Sequence, residues 1–225
     1  MYKVMIVDDL PKHRTKMAAI VNSMVGYHVM ATLEDGADVM HWLHNNVVVP
    51  DIILLDVEMR KMDGITLLEY LSDFFPSIRV IIVSSHFEPE LIADAFAANA
   101  YGFIWKHDDY KFLMQAIVAI KNNQRFIDPR LEVYNLDIQR LVSERQKEKK
   151  AIHKNYQLTD TELRILKVIC AQINYVEMSN ILHISQRTVE TYVGRLNKKL
   201  SINYGGRVAL SNFSLRRGIA KIAKL

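Results

Sequence analysis

The sequence predicts an α/β chain: a five-stranded parallel sheet, doubly wound with helices on both faces, followed by a smaller all-α module. Three observations predict it. Five short apolar runs alternate with five amphipathic stretches over the first 123 residues. No strand signal follows residue 158. The charge also reverses: 145–225 carries 16 Lys and Arg against 5 Asp and Glu, whereas 1–144 carries 13 against 20. An acidic front and a basic back imply two domains with different partners, the rear one facing a polyanion.

The strands are read at 2–7, 28–33, 52–55, 80–83 and 102–105. Each is short, rich in branched or aromatic residues, and bounded by Asp, Gly, Pro or Ser. Their continuous apolar character, without strict alternation, suits strands buried on both faces. Helices are read at 11–24, 37–45, 65–75, 89–98 and 110–122, with Pro11 suited to a first helical position. Residues 124–157 form a charged linker without glycine, in which Leu131, Tyr134, Ile138 and Leu141 fall at helical spacing. We expect a helix there, with fewer than three clean heptads for a coiled coil. Residues 158–225 complete the chain. Thr159-Asp160-Thr161-Glu162 is a capping box that starts a helix over 158–173, on which Leu163, Leu166, Ile169 and Cys170 share a face. A short helix at 176–182, a turn at His183-Ile184, and a third helix capped by Ser185 over 186–200 follow. Helix, short turn and capped helix is the helix-turn-helix plan.

One cysteine, Cys170, excludes an internal disulfide and any cysteine cluster. The first residues lack the apolar run of a signal peptide, and no stretch approaches the roughly 20 apolar residues that span a bilayer. A cytoplasmic chain without membrane contact is expected.

Chemistry concentrates where the strands end. Asp8 and Asp9 end the first strand and Asp56 the third; Ser84 ends the fourth and Lys106 follows the fifth. In a parallel sheet these ends share one edge, where ligands of such sheets sit. Three converging carboxylates repel one another unless a cation neutralises them, and a hard ion with oxygen ligands such as Mg²⁺ fits. A carboxylate nucleophile with an ammonium and a hydroxyl beside it suits phosphoryl transfer to Asp56.

The first 123 residues resemble the receiver domain of bacterial two-component response regulators. The residues that carry the resemblance are Val7-Asp8-Asp9, Leu54-Leu55-Asp56-Val57-Glu58-Met59, Met62-Asp63-Gly64, Ser84-Ser85 and Ala100-Tyr101-Gly102-Phe103-Ile104-Trp105-Lys106. The resemblance implies a flavodoxin-like fold with Asp56 as phosphoacceptor. It also implies Mg²⁺ held by Asp9 directly, Asp8 through water, Asp56 and the Glu58 backbone carbonyl. Ser84 and Phe103 would be the switch pair and Lys106 the phosphate-binding lysine. The chain departs from the family at Arg60 and His107, where proline is common, and at Tyr101, where Asp or Asn is familiar. His86, Phe87 and Glu88 either begin a helix or lie on the face that rearranges.

The rear module resembles the LuxR/NarL/FixJ-type helix-turn-helix over 158–218. It does so through Leu158-Thr159-Asp160-Thr161-Glu162, Ile181-Leu182-His183-Ile184-Ser185-Gln186-Arg187-Thr188-Val189-Glu190-Thr191-Tyr192-Val193 and Lys199-Leu200. This implies a fourth helix, about 206–217, often used for dimerisation. Departures are Tyr175-Val176, Met178-Ser179 and Glu190. The outward positions of the third helix, and so the candidate DNA contacts, are Gln186, Arg187, Thr188, Glu190, Thr191, Arg195, Lys198 and Lys199, with Asn197 beside them.

The expected function is control of transcription after a sensor histidine kinase phosphorylates Asp56. The acyl phosphate would draw Ser84 toward it, let Phe103 turn inward and shift the face made by the fourth helix, fifth strand and fifth helix. Partners would be double-stranded promoter DNA and a second copy of the chain, at least when phosphorylated. No turnover enzyme is expected. Two rivals use the same residues. One is an aspartyl-phosphate phosphatase of haloacid-dehalogenase type, with Glu58 as a poor general acid. The other is a receiver with a protein-binding output module.

Overall fold

Five strands form where the apolar runs stand: β1 (Tyr2–Val7), β2 (Tyr27–Leu33), β3 (Ile52–Leu55), β4 (Arg79–Ser84) and β5 (Gly102–Trp105). The computed structural model describes residues 1–60, 62–107, 110–171, 174–182, 184–202, 206–216 and 219. The sheet has six strands rather than five, in the order β2-β1-β3-β4-β5-β6, all parallel. The extra strand β6 (Phe126–Ile127) has two residues, too few to show a period of two in sequence. Backbone pairing with β5 creates it, through Phe126 N–H on the Tyr101 carbonyl and Asp128 N–H on the Phe103 carbonyl, both 2.9 Å.

The burial of β3 explains its run of four apolar residues: Ile52, Ile53, Leu54 and Leu55 are all fully buried. A central strand covered on both faces has no solvent side on which to alternate. Each such side chain contributes about 1.5–3 kcal/mol on removal from water. The covering helices are α1 (Pro11–Ser23), α2 (Gly36–Asn45), α3 (Gly64–Phe74), α4 (Pro89–Ala97) and α5 (Leu113–Lys121). Asp35 caps α2 by accepting the Ala37 amide at 3.0 Å, and Asp63 caps α3 by accepting the Thr66 amide at 3.0 Å. Helix α5 starts three residues later than its apolar pattern suggests, because Tyr110 adopts φ 45° and its carbonyl closes a turn onto Leu113.

After β6 a 3₁₀ turn, Pro129–Tyr134, runs into the long helix α6 (Asn135–Tyr156). The chain divides into two compact units inside α6, the first running from Met1 to Arg145 and the second starting at Gln146. The second unit holds α7 (Asp160–Val168), a 3₁₀ turn Ile169–Ala171, α8 (Tyr175–Leu182), α9 (Gln186–Lys199) and α10 (Gly206–Arg216). Ile173, His183 and Arg217, which the expected helices and turn include, lie outside the described residues. The capping box closes as expected: the Thr159 amide donates to Glu162 Oε2 at 2.8 Å, and the Glu162 amide to Thr159 Oγ1 at 3.3 Å. Ser185 caps α9 by accepting the Thr188 amide at 3.1 Å. Leu166, Met178, Val189, Leu196 and Leu210 are fully buried, so α7 to α10 share one core.

Candidate functional site

The parallel register puts the ends of β1, β3, β4 and β5 on one edge. Val7 lies opposite Leu55, and Ser84 opposite Trp105. The residues that follow therefore converge. A carboxylate oxygen from each of Asp8, Asp9 and Asp56 lies within 4.8 Å of the others. Lys106 Nζ stands 2.7 Å from Asp8 Oδ2 and 3.0 Å from Asp56 Oδ2. The first contact is ionic, not a directed hydrogen bond, since Asp8 Oδ2 receives no aligned donor.

The backbone fixes each group. Asp56 donates its amide to the Val7 carbonyl at 2.8 Å, and its Oδ1 accepts the Val57 amide at 2.8 Å. The Lys106 amide donates to the Ser84 carbonyl at 2.6 Å, which joins the ends of β4 and β5. Ser84 is fully buried, and its Oγ accepts the His86 amide at 3.1 Å. Arg14 Nη1 donates to the Asp8 carbonyl at 2.6 Å, while Nη2 pairs with Glu34 at 2.7 Å. Gly64 allows the acceptor loop to close: a Cβ there would overlap the Asp56 carbonyl oxygen and come within 2.9 Å of Val57 Cα.

Burial is the largest influence on Asp56, which is only 5 % exposed. Desolvation pushes its pKa up from 3.8 to about 6, against the opposing pull of Lys106 and with help from the neighbouring charge of Asp8. His13, whose Nδ1 is 3.6 Å from Asp8 Oδ2, is held below its ordinary value by burial and by Lys106. Three hard oxygen donors within reach of one ion, around a buried and partly neutralised carboxylate, are the donor set of a divalent cation site.

The structure thus brings together Asp8, Asp9, Asp56, Ser84 and Lys106. One expectation needs revision. Phe103, expected to turn inward on activation, is already fully buried, two registers below Ser84. The aromatic residue opposite Ser84 is Trp105, whose ring centroid lies 4.6 Å from that of Phe87. The Glu58 side chain pairs with His86, its Oε1 3.1 Å from Nε2. His86, Phe87 and Glu88 precede α4, which begins at Pro89. Sequence reasoning missed Arg14, His13 and Trp105. The first two had a signal: a helix opening at Pro11 places its first turn beside the end of β1.

On α9, Gln186, Arg187, Glu190, Thr191, Arg195, Lys198 and Lys199 are exposed. Gln186 donates to Glu190 at 2.9 Å, Thr191 to the Arg187 carbonyl at 2.8 Å, and Thr188 Oγ1 meets Ser185 Oγ at 2.7 Å. Asn197 is half-buried. Lys199, expected to face DNA, also pairs within its own module. Its Nζ is 2.7 Å from the Gln157 carbonyl and 2.7 Å from Glu162 Oε2. Burial alone would raise the Glu162 pKa, but Lys199 and the Thr159 donors outweigh it, and the net shift is downward. A lowered carboxylate pKa gives stability that is present above the unfolded value and lost as pH falls through the folded one. Lys199→Met is therefore expected to destabilise the second unit at neutral pH, by about 1 kcal/mol for a partly exposed pair. The difference shrinks as Glu162 protonates. Amide exchange of α7 and α9 in the full chain measures it.

Among the described residues no helix is long and apolar enough to cross a membrane. Residues 4–118 match the response regulator receiver domain family, and residues 156–210 match the bacterial regulatory proteins, luxR family. The response regulator UvrY of Escherichia coli K12 is 26% identical over 226 residues, covering 100% of this chain and 99% of UvrY. The transcriptional regulatory protein DegU of Brevibacillus brevis is 24% identical over 230 residues, covering 98% and 95%. The RcsB response regulator of Salmonella typhimurium shares the fold at a TM-score of 0.55 and 19% identity, over 95% of this chain and 98% of its own. With an acidic pocket at the strand ends and a capped helix-turn-helix later in the sequence, the chain belongs to the response regulators, built from a receiver domain and a luxR-family DNA-binding domain.

Proposed function

We propose that this chain is a cytoplasmic transcription regulator switched by phosphorylation of Asp56, with 1–123 as the receiver, 124–157 as the linker and 158–225 as the DNA-binding domain. The observation that carries it is the meeting of Asp8, Asp9, Asp56 and Lys106 in one cleft. The phosphoryl donor is a phosphohistidine on a sensor kinase. An Asp56 oxygen attacks phosphorus, an O–P bond forms, the N–P bond breaks, and the imidazole leaves with the electron pair. Lys106 neutralises the transferred oxygens and the Ser84 hydroxyl donates to one of them. Asp8, Asp9, Asp56 and the Glu58 backbone carbonyl would hold Mg²⁺, which would supply charge neutralisation at the phosphoryl group.

Output is binding of double-stranded promoter DNA by α9. RcsB, of the same fold, has been solved as an RcsB–DNA complex and as two dimers on two DNAs. We assign base reading to Gln186, Arg187 and Glu190, and phosphate contact to Thr188, Thr191, Arg195 and Lys198. Two modules of a homodimer would read two half-sites. The rival phosphatase chemistry gains nothing from the geometry, because Glu58 pairs with His86 rather than with the acceptor. One phosphoryl group per chain, rather than sustained turnover, is expected.

The test is a gel shift on genomic promoter fragments at low and high salt, with and without a small acyl-phosphate donor. The donor should tighten binding and the affinity should fall steeply with salt. Arg187→Ala is expected to weaken specific binding about tenfold, the loss of one base contact. Affinity indifferent to salt would point instead to a protein-binding output module.

A further inference from the structure

The strand that delivers Lys106 is short, and its outer neighbour is shorter. β5 ends at Trp105 and β6 at Ile127. On the β4 side the ladder reaches Lys106 itself, whose amide donates to the Ser84 carbonyl. On the β6 side the bonds fall on alternate residues of β5. The Tyr101 carbonyl takes the Phe126 amide, and the Phe103 carbonyl takes the Asp128 amide. Continued, this alternation would give the Trp105 carbonyl to the Arg130 amide. It stops because the chain turns at Pro129 into a 3₁₀ segment. Inside that turn the Arg130 amide donates to Asp128 Oδ1 at 3.0 Å instead.

Two side chains take the place of the strand that ended. Asp128, fully buried, accepts the Trp105 amide on Oδ2 at 3.2 Å. Arg130 donates Nη2 to the Trp105 carbonyl at 2.9 Å. The two are also joined to each other: Arg130 gives Nε to Asp128 Oδ1 at 2.9 Å and Nη2 to Oδ2 at 2.6 Å. The guanidinium lies over two rings, 5.0 Å from the Trp105 centroid and 5.3 Å from that of Phe112. The ladder is thus carried one residue past the end of β6, to the residue before Lys106.

The Trp105 carbonyl and the Lys106 amide belong to one peptide group. Arg130 holds one end of that plane and the Ser84 carbonyl the other. The plane leads directly to the Lys106 Cα, from which the side chain reaches Asp8 at 2.7 Å and Asp56 at 3.0 Å. A lysine stem is flexible, so the place of its ammonium depends on where the stem begins. We infer that Asp128 and Arg130 are positioning residues for phosphoryl transfer. They hold the peptide before Lys106 so that its ammonium meets the phosphoryl group on Asp56. The inference rests on the phosphoacceptor reading above, and it gives two residues of the linker a part in the chemistry of the receiver.

The test is a double-mutant cycle in the full chain, read by calorimetry as affinity for beryllofluoride, a phosphoryl mimic, with Mg²⁺ present. Asp128→Asn with Arg130→Met removes both charges together, so no lone buried charge remains, and leaves the Trp105 carbonyl without its donor. This variant should bind beryllofluoride about tenfold more weakly than wild type. In a Lys106→Met background the same two substitutions should change the affinity by less than about twofold, because no ammonium is left to place. Affinity equal to that of wild type overturns the inference. So does an equal loss in both backgrounds, which would mean that the pair only supports the fold. Should the variant not fold, Arg130→Lys takes its place. A single ammonium keeps the charge beside Asp128 but cannot bond it as a fork and reach the Trp105 carbonyl as well. The same pattern across the two backgrounds is expected, and the same two results overturn it. Wild type that binds no beryllofluoride is a different outcome: the phosphoacceptor reading fails, and this inference falls with it.

Discussion

Asp56→Asn is expected to lose phosphoryl incorporation from a small acyl-phosphate donor by at least ~10³-fold, since an amide oxygen is no nucleophile at neutral pH. Intact-mass measurement of the phosphorylated chain checks this. A wild-type mass increase of one phosphoryl group that persists in Asp56→Asn would remove Asp56 from the chemistry. The same substitution should raise stability, and the sign follows from the pKa. Asp56 is raised from 3.8 to about 6 in the folded protein, so the fold favours the protonated carboxyl. That contribution is complete below pH 3.8 and is lost as pH rises through about 6. At pH 8 and without divalent cation, the wild type therefore carries an ionised buried carboxylate that Asn lacks. Asp56→Asn should be more stable there by on the order of 3 kcal/mol. The gap should close at pH 4 and shrink when Mg²⁺ is added. Urea unfolding at both pH values measures it. An equal difference at pH 4 and pH 8 would show that the carboxylate is not desolvated as the structure has it.

Gly64→Ala is the second large effect. Its Cβ would overlap the Asp56 carbonyl oxygen and approach Val57 Cα to 2.9 Å. Both obstacles are backbone, and the carbonyl belongs to the acceptor itself. No side-chain rotation relieves the clash, so α3 or the acceptor loop must move. The expected cost is about 3 kcal/mol or more. Asp56 should also lose its register with Lys106. Thermal unfolding should fall well below wild type, and beryllofluoride binding should weaken even in the fraction that remains folded. Substitution of Gly194, around whose Cβ position nothing lies within 4 Å, is the control for a glycine that meets no obstacle. Its helix should tolerate alanine.

The site was legible because each of its groups follows a strand. An apolar run such as 52–55 cannot continue past a carboxylate, so the change of residue type marks the strand's end, and parallel pairing puts all ends on one edge. Asp8, Asp9, Asp56, Ser84 and Lys106 needed only that rule. Trp105 did not announce itself, because an aromatic at the end of a buried strand reads as core. Its partner Arg130 lies 25 residues further on and meets it only through the short strand β6. The partner of Lys199 was hidden for a related reason. A lysine near a helix end, on an otherwise polar face, looks solvated until the fold brings Glu162 within 2.7 Å.

The sequence by itself determined the alternation of strands and helices, the caps of α7 and α9, the division of charge, and the collection of acidic and basic groups at one sheet edge. All of these are set by neighbours within a few residues, or by the single rule of parallel pairing. Only the tertiary structure decided the sixth strand, the buried position of Phe103, the pairing of Lys199 with Glu162 and the hydrogen bonds of Asp128 and Arg130 to Trp105. Each depends on two segments far apart in sequence whose meeting is set by packing, and local pattern carries no record of which distant partner a side chain will find.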